Sequence, residues 1–196
     1  MSEAIHPKLH HLNLKTTRLD EMIEWYGTVL GTEILFRDDA GAWLSNDEAN
    51  HRVALLCFPN FSDDPEKDTR TGLHHSAFEY DSFEDLNASY LRLREAGIEP
   101  AFCVDHGMTF SYYYADPDGN HVELQCDTFG DWAKSSEWMR TSEQFHSNPI
   151  GVFVDPARVA EAAAQGAPFA DIHMRATAGA FGPQQPPTPA EIETEG

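Results

Sequence analysis

Two hydrophobic periods alternate along the chain. In residues 121–126, Val122, Leu124 and Cys126 alternate with His121, Glu123 and Gln125, the period of a strand with two unlike faces. Residues 18–30 instead place Leu19, Met22, Ile23, Tyr26 and Leu30 at helical spacing, with Gly31 as the stop. A strand at 8–15 precedes this helix, and strands at 32–37, 42–45 and 51–58 follow it. The same order then recurs. A strand at 73–80 leads into an amphipathic helix at 82–96, with Ser82 as N-cap and Gly97 as stop. Strands at 98–104, 109–115 and 121–126 complete the second half. The pattern therefore predicts an α+β fold of two βαβββ modules, 8–58 and 73–127, joined by the polar connection 59–72.

The repeat ends near residue 127. Residues 131–140 and 155–166 read as helices, the second with Asp155 as cap and Pro156 in its first turn. We expect one paired domain over 1–130, an extension over 131–182 packed on it, and a disordered tail over 183–196, where GPQQPPTPAEIETEG is rich in Pro and Glu. A chain of 196 residues with 41% hydrophobic content can bury a sizeable core. The net charge of −20 argues against nucleic acid and anionic membranes, whose phosphates it would repel. No apolar run has the length of a membrane span. The opening MSEAIHPKLHHLNL has no basic region followed by an apolar stretch, so a cytoplasmic location is expected. Three scattered cysteines, Cys57, Cys103 and Cys126, form neither a disulfide framework nor a CxxC zinc site.

The positions of the histidines matter more than their number. His11 and His75 occupy equivalent strands, 64 residues apart, and Glu123 sits in the last strand of the second module. If the two modules curl around a shared cavity, these three side chains can converge. Two imidazoles and a carboxylate form the facial triad of non-haem Fe(II) oxygenases, a ligand set that also suits Mn(II). The segment Val53-Ala54-Leu55 matches Val122-Glu123-Leu124, 69 residues on, so the repeat places Ala54 where a fourth ligand would stand.

The segments LHHLNL, WYGTVLGTEI, GLHHSAFEY and DPDGNHVELQ resemble the vicinal oxygen chelate superfamily, which holds glyoxalases, fosfomycin- and bleomycin-resistance proteins and extradiol dioxygenases. The resemblance covers about residues 8–127. It implies an open, cupped sheet of paired modules around a metal, with His11, His75 and Glu123 as ligands. Two further stretches resemble the single-domain extradiol branch. NHRVALL carries His51 where that branch has an acid–base histidine, and DHGMTFSYYYADPDGN resembles its His-Gly-x-Thr-x-Ser-x-Tyr pattern. His106 fits that His. Tyr113 fits the Tyr by its distance of ten residues before Glu123, with Tyr112 and Tyr114 beside it.

The expected activity is cleavage of a catechol next to its two hydroxyls, with both atoms of O₂ inserted and Fe(II), or alternatively Mn(II), as cofactor. Phe110, Tyr112 and Tyr114 near the site suggest an aryl-substituted or bicyclic catechol. The resemblance also implies a homo-oligomer, a dimer or larger. Two rivals stand beside this reading. One is a glyoxalase or thiol transferase of the same superfamily, against which Ala54 counts. The other is a drug-sequestering binding protein without catalysis, against which the three metal-type residues count.

Overall fold

The computed structural model describes residues 5–185. The chain divides into two compact units. The first holds the chain up to Lys67 together with Asp116–Gly119, and the second holds Asp68–Ala115 and the chain from Asn120 onward.

The first unit runs β1 (Leu12–Lys15), α1 (Leu19–Leu30), β2 (Glu33–Asp38), β3 (Gly41–Ser45) and β4 (Val53–Leu56), with sheet order β1-β4-β3-β2. β1 pairs parallel to β4, and the other pairs are antiparallel. Helix α1 buries Met22, Tyr26 and Val29, spaced four and three residues apart as one helical face requires. It ends at Gly31, whose φ of 67° is the left-handed conformation that glycine adopts most readily. The buried Tyr26 hydroxyl donates to Asp116, which ties the 116–119 turn to this helix.

The second unit repeats the plan with β5 (His75–Tyr80), α2 (Phe83–Glu95), β6 (Phe102–Asp105), β7 (Thr109–Ala115) and β8 (His121–Asp127). Ser82 caps α2 by accepting from the Asp85 amide, and the helix buries Phe83, Leu86, Tyr90 and Leu93. β6 starts later than its sequence pattern because Pro100, which has no amide hydrogen to give a ladder, lies in the first part of that run. After β8 come α3 (Trp132–Thr141), α4 (Glu143–Ser147), β9 (Val152–Phe153), α5 (Pro156–Ala164) and α6 (Phe169–Thr177). β9 joins the sheet beside β6, giving the order β5-β8-β7-β6-β9. Asp131 and Asp155 cap α3 and α5 through amides two residues on. The sequence pattern missed α4, α6 and the two-residue β9. The predicted tail lies largely outside the described residues.

The registers sharpen the internal repeat. In the second unit Ala77 faces Glu123, and in the first Asn13 faces Ala54. Each is one residue beyond the pair that opens with the aligned valines, Ser76–Val122 and Leu12–Val53. Ala54 therefore holds the position of Glu123 in its own sheet. All three cysteines are free thiols, and Cys103 and Cys126 are buried. Burial pushes the Cys126 thiol up to about 12, so it packs as a small apolar side chain. Among the described residues, no helix is long and apolar enough to cross a membrane.

Candidate active site

In β8, Val122, Leu124 and Cys126 point into the core, as their alternation predicts. Glu123 lies on the opposite face and is nevertheless only 5% exposed. Its direct partners across the ladders are Ala77 of β5 and Tyr113 of β7, so the three side chains share one face. His75 opens β5 on the same face, and its Nε2 lies 3.2 Å from Glu123 Oε2. Burial by itself would raise the Glu123 pKa. Hydrogen bonds with His75 and Ser111, and the nearby His106, hold it below the usual carboxylate value.

Tyr113 and His106 form the second pair, with the Tyr113 hydroxyl 2.9 Å from His106 Nε2. Phe102 stacks on the Tyr113 ring at 4.4 Å between centroids, which fixes its orientation. A backbone hydrogen bond with Ile150 engages the His106 ring. With that nitrogen protonated, Nε2 is the acceptor for the Tyr113 hydroxyl. Burial lowers the His106 pKa, against the opposing pull of Glu123. The ring is thus neutral near pH 7.

These four side chains line a cavity of about 540 Å³ within the second unit. Met108 joins them from the β6–β7 turn, and α3 contributes Trp132 and Met139. Trp132 donates to Glu79 at 2.8 Å, fastening the start of α3 to β5. Gly151, in the Ile150 loop, has a φ of 92°, and a Cβ there would lie 2.1 Å from the Asp105 carbonyl oxygen and 2.8 Å from His106 Cα. Gly151→Ala is expected to cost about 1–3 kcal/mol of stability, read as a lower denaturant midpoint, because it adds backbone strain to this clash. Its turnover should fall as well, since the backbone that must shift carries His106.

The first unit holds His11 and His51. Their ring centroids are 4.2 Å apart, with His10 alongside both. His11 precedes β1 by one residue and His51 precedes β4 by two. The Leu12 amide donates to the Arg52 carbonyl at 2.9 Å, which brings the two strand starts side by side. Burial and the neighbouring His11 and His10 lower the His51 pKa.

The six expected residues thus fall into two groups, His75, Glu123, His106 and Tyr113 in one unit, and His11 and His51 in the other. Of the three tyrosines, Tyr113 alone shares the face of Glu123. Tyr112 and Tyr114 point to the opposite face, where Tyr112 packs on Tyr90 of α2. Phe110 also faces that side, against Phe83 and Phe169. The expectation that Phe110, Tyr112 and Tyr114 flank the site is therefore corrected: strand parity turns them into the core. The apolar wall of the cavity is Met108, Trp132 and Met139 instead. Ser111 is a residue the sequence reading passed over. It is fully buried, bonds Glu123, and lies two residues from Tyr113, so the period of β7 alone places it on the site face.

The donor chemistry of the cavity fits a metal cation. Glu123 is a buried carboxylate, and no Lys or Arg is among the described residues lining the cavity. A buried carboxylate without a cationic side chain calls for another positive partner. His75 Nε2 and Glu123 Oε2 are the nitrogen and oxygen donors that Fe(II) or Mn(II) accepts.

Comparison with known proteins identifies the family. The family model described as Glyoxalase/Bleomycin resistance protein/Dioxygenase superfamily matches residues 8–124. Biphenyl-2,3-diol 1,2-dioxygenase 3 of Rhodococcus globerulus is 40% identical over 175 residues, covering 89% of this chain and 92% of its own. Biphenyl-2,3-diol 1,2-dioxygenase 2 of the same organism is 38% identical over 172 residues, covering 88% and 90%. The catechol-2,3-dioxygenase of Bacillus subtilis is 31% identical over 144 residues, and the match spans 71% of this chain but 47% of that longer protein. Among solved structures, a glyoxalase/dioxygenase from Nostoc punctiforme has a TM-score of 0.52 at 20% identity, covering 65% of this chain and 98% of that one. A glyoxalase/bleomycin resistance protein/dioxygenase from Nocardioides has a TM-score of 0.52 at 22% identity, covering 66% and 89%. These two establish the fold alone. With the family model over most of the chain and both Rhodococcus relatives matched nearly end to end, the chain belongs to the Glyoxalase/Bleomycin resistance protein/Dioxygenase superfamily, among its extradiol dioxygenases.

Proposed function

We propose that this dioxygenase opens the ring of a catechol bearing an aryl or comparably apolar substituent, with O₂ and a non-haem Fe(II) held by His11, His75 and Glu123. The observation that carries the reading is the buried Glu123 carboxylate, 3.2 Å from His75 Nε2 on the floor of a cavity that also holds the bonded His106–Tyr113 pair. His11 enters through the family motif and through its place, equivalent to that of His75, at the start of its module. The Rhodococcus relatives, named for a biphenyl diol, support the aryl substituent. So does the wall of Met108, Trp132 and Met139.

Fe(II) held by these ligands would supply Lewis acidity toward the catechol hydroxyls and a redox partner for O₂. The chain's own side chains do the rest. Glu123, kept ionised by its hydrogen bonds, contributes negative charge to the cation. The Tyr113 hydroxyl, fixed by Phe102 and His106, orients a substrate oxygen. His106 and His51 are both neutral near pH 7 and can accept a hydroxyl proton and return it. The cavity walls hold the substituent and limit water around the reacting ring.

The test is O₂ uptake after anaerobic Fe(II) loading, with 2,3-dihydroxybiphenyl, 3-methylcatechol and catechol as substrates. Uptake with a yellow ring-opened product, fastest for the aryl compound, is expected. Bound iron without uptake for any of the three would overturn the substrate class.

A further inference from the structure

The first unit contains a cluster that the proposed iron set does not use in full. His10, His11 and His51 each offer one ring nitrogen, and the three nitrogens lie within 4.8 Å of one another. His10 Nδ1 and His11 Nδ1 are 3.1 Å apart. The backbone holds this arrangement. The Leu12 amide donates to the Arg52 carbonyl at 2.9 Å, and Arg52 Nη1 donates to the His10 carbonyl at 3.0 Å. The Arg52 charge is balanced by Asp47, whose Oδ2 accepts from Nη2 at 2.7 Å. The three imidazoles therefore stand on paired chain segments, with the one adjacent guanidinium already neutralised.

The ligand chemistry is distinct from that of the iron set because it has no carboxylate. Zn(II) takes three imidazoles at about 2.0–2.1 Å and keeps an open fourth position. Rings already this close need only small side-chain rotations to meet a common ion. For nitrogen donors, Zn(II) and Cu(II) also rank above Fe(II) in intrinsic affinity. We propose that His10, His11 and His51 form a second metal-binding set that takes Zn(II) or a similar borderline divalent cation. Because His11 is shared, occupancy of this set excludes iron from its own, and zinc acts as an inhibitor that competes with iron loading. The competition rests on His11 being an iron ligand; the binding itself does not.

Co(II) is the spectroscopic probe, with Zn(II) as competitor. It is titrated into metal-free His75→Gln/Glu123→Gln protein, which lacks two of the three proposed iron ligands but keeps their bulk. One Co(II) per chain, with the strong visible absorption of a low-coordinate site and displaced by Zn(II), is expected. Adding His10→Ala should weaken binding at least about tenfold, the loss that even an outer partner of a zinc ligand causes. In the otherwise unaltered enzyme, His10→Ala should leave iron-dependent turnover within about twofold and raise the half-inhibiting Zn(II) concentration about tenfold or more. No Co(II) uptake by the doubly substituted protein, with its circular dichroism unchanged, would overturn the site. So would uptake indifferent to His10. If the Glu/His substitutions unfold the chain, the same titration of His10→Ala against wild-type apoprotein decides between one and two competing sets. Failure of the dioxygenase reading would appear separately, as iron-loaded wild type without O₂ uptake, and leaves the Co(II) result standing.

Discussion

Glu123→Ala yields a folded chain that holds little iron and turns over at least about a thousandfold more slowly, a loss of about 4 kcal/mol in transition-state stabilisation. The reason is specific to the site. Glu123 is a buried carboxylate of the cavity, and its Oε2 lies 3.2 Å from His75 Nε2. Removing it takes the carboxylate from beside His75 Nε2 and leaves a methyl group in its place. Metal content per chain and O₂ uptake are measured together, so that loss of the ion and loss of chemistry are read on one sample. The metal-free variant should melt a few degrees below metal-free wild type, because His75 and Ser111 lose the hydrogen bonds that outweigh burial and hold the Glu123 pKa below its usual value. Iron content equal to wild type would remove Glu123 from the ligand set.

His106→Phe should keep its iron and lose about 10²–10³-fold in kcat, the usual contribution of a positioned acid–base group. The phenyl ring preserves packing but can neither accept from Tyr113 nor bond the Ile150 backbone. The pH profile separates a chemical role from a structural one. Burial holds the His106 pKa below its ordinary 6.5, so the neutral, proton-accepting form persists as pH falls from 7 and is lost only below that value. Wild-type turnover should therefore be flat near neutrality and decline on the acid side. The His106→Phe variant should lose that decline while keeping the residual rate. A full acid limb in the variant would assign the titration to another group, with His51 the next to test.

Much of this was legible in the sequence, for a physical reason. Periods of two and of three to four, together with capping residues such as Ser82 and Asp155, are local properties, so both modules and their order could be written from the chain. The equivalence of His11 and His75 and the vacancy at Ala54 were visible as spacing, and the strand registers repeat them. What failed was local information too weak or too short. β9 is two residues long, and α6 follows Pro168 without a side-chain cap. The aromatic run at 112–114 reads as one patch in the sequence, while parity sends its members to opposite faces. Trp132 and Met139 were seen only as helix, because what α3 covers depends on contacts far away in the chain.

The two-residue strand β9 has a consequence for how each sheet meets its surroundings. β6 and β2 occupy the same place in the two modules, at the far side of their sheets from the opening strand. An outermost strand carries a row of unpaired amides and carbonyls, a template on which another extended chain can add. In the second unit, Val152 and Phe153 take up that row through Asp105 and Val104, and the Val154 amide donates to Cys103. In the first unit, β2 has no further strand beside it among the described residues, and Ile34, Leu35 and Phe36 are all about half exposed. Its protection is of another kind: a register shift between Ile34 and Phe36 and the charges of Glu33, Arg37 and Asp38. The C-terminal extension is thus also a guard against strand addition, and a chain ending before Val152 would leave β6 bare on its outer side as β2 is.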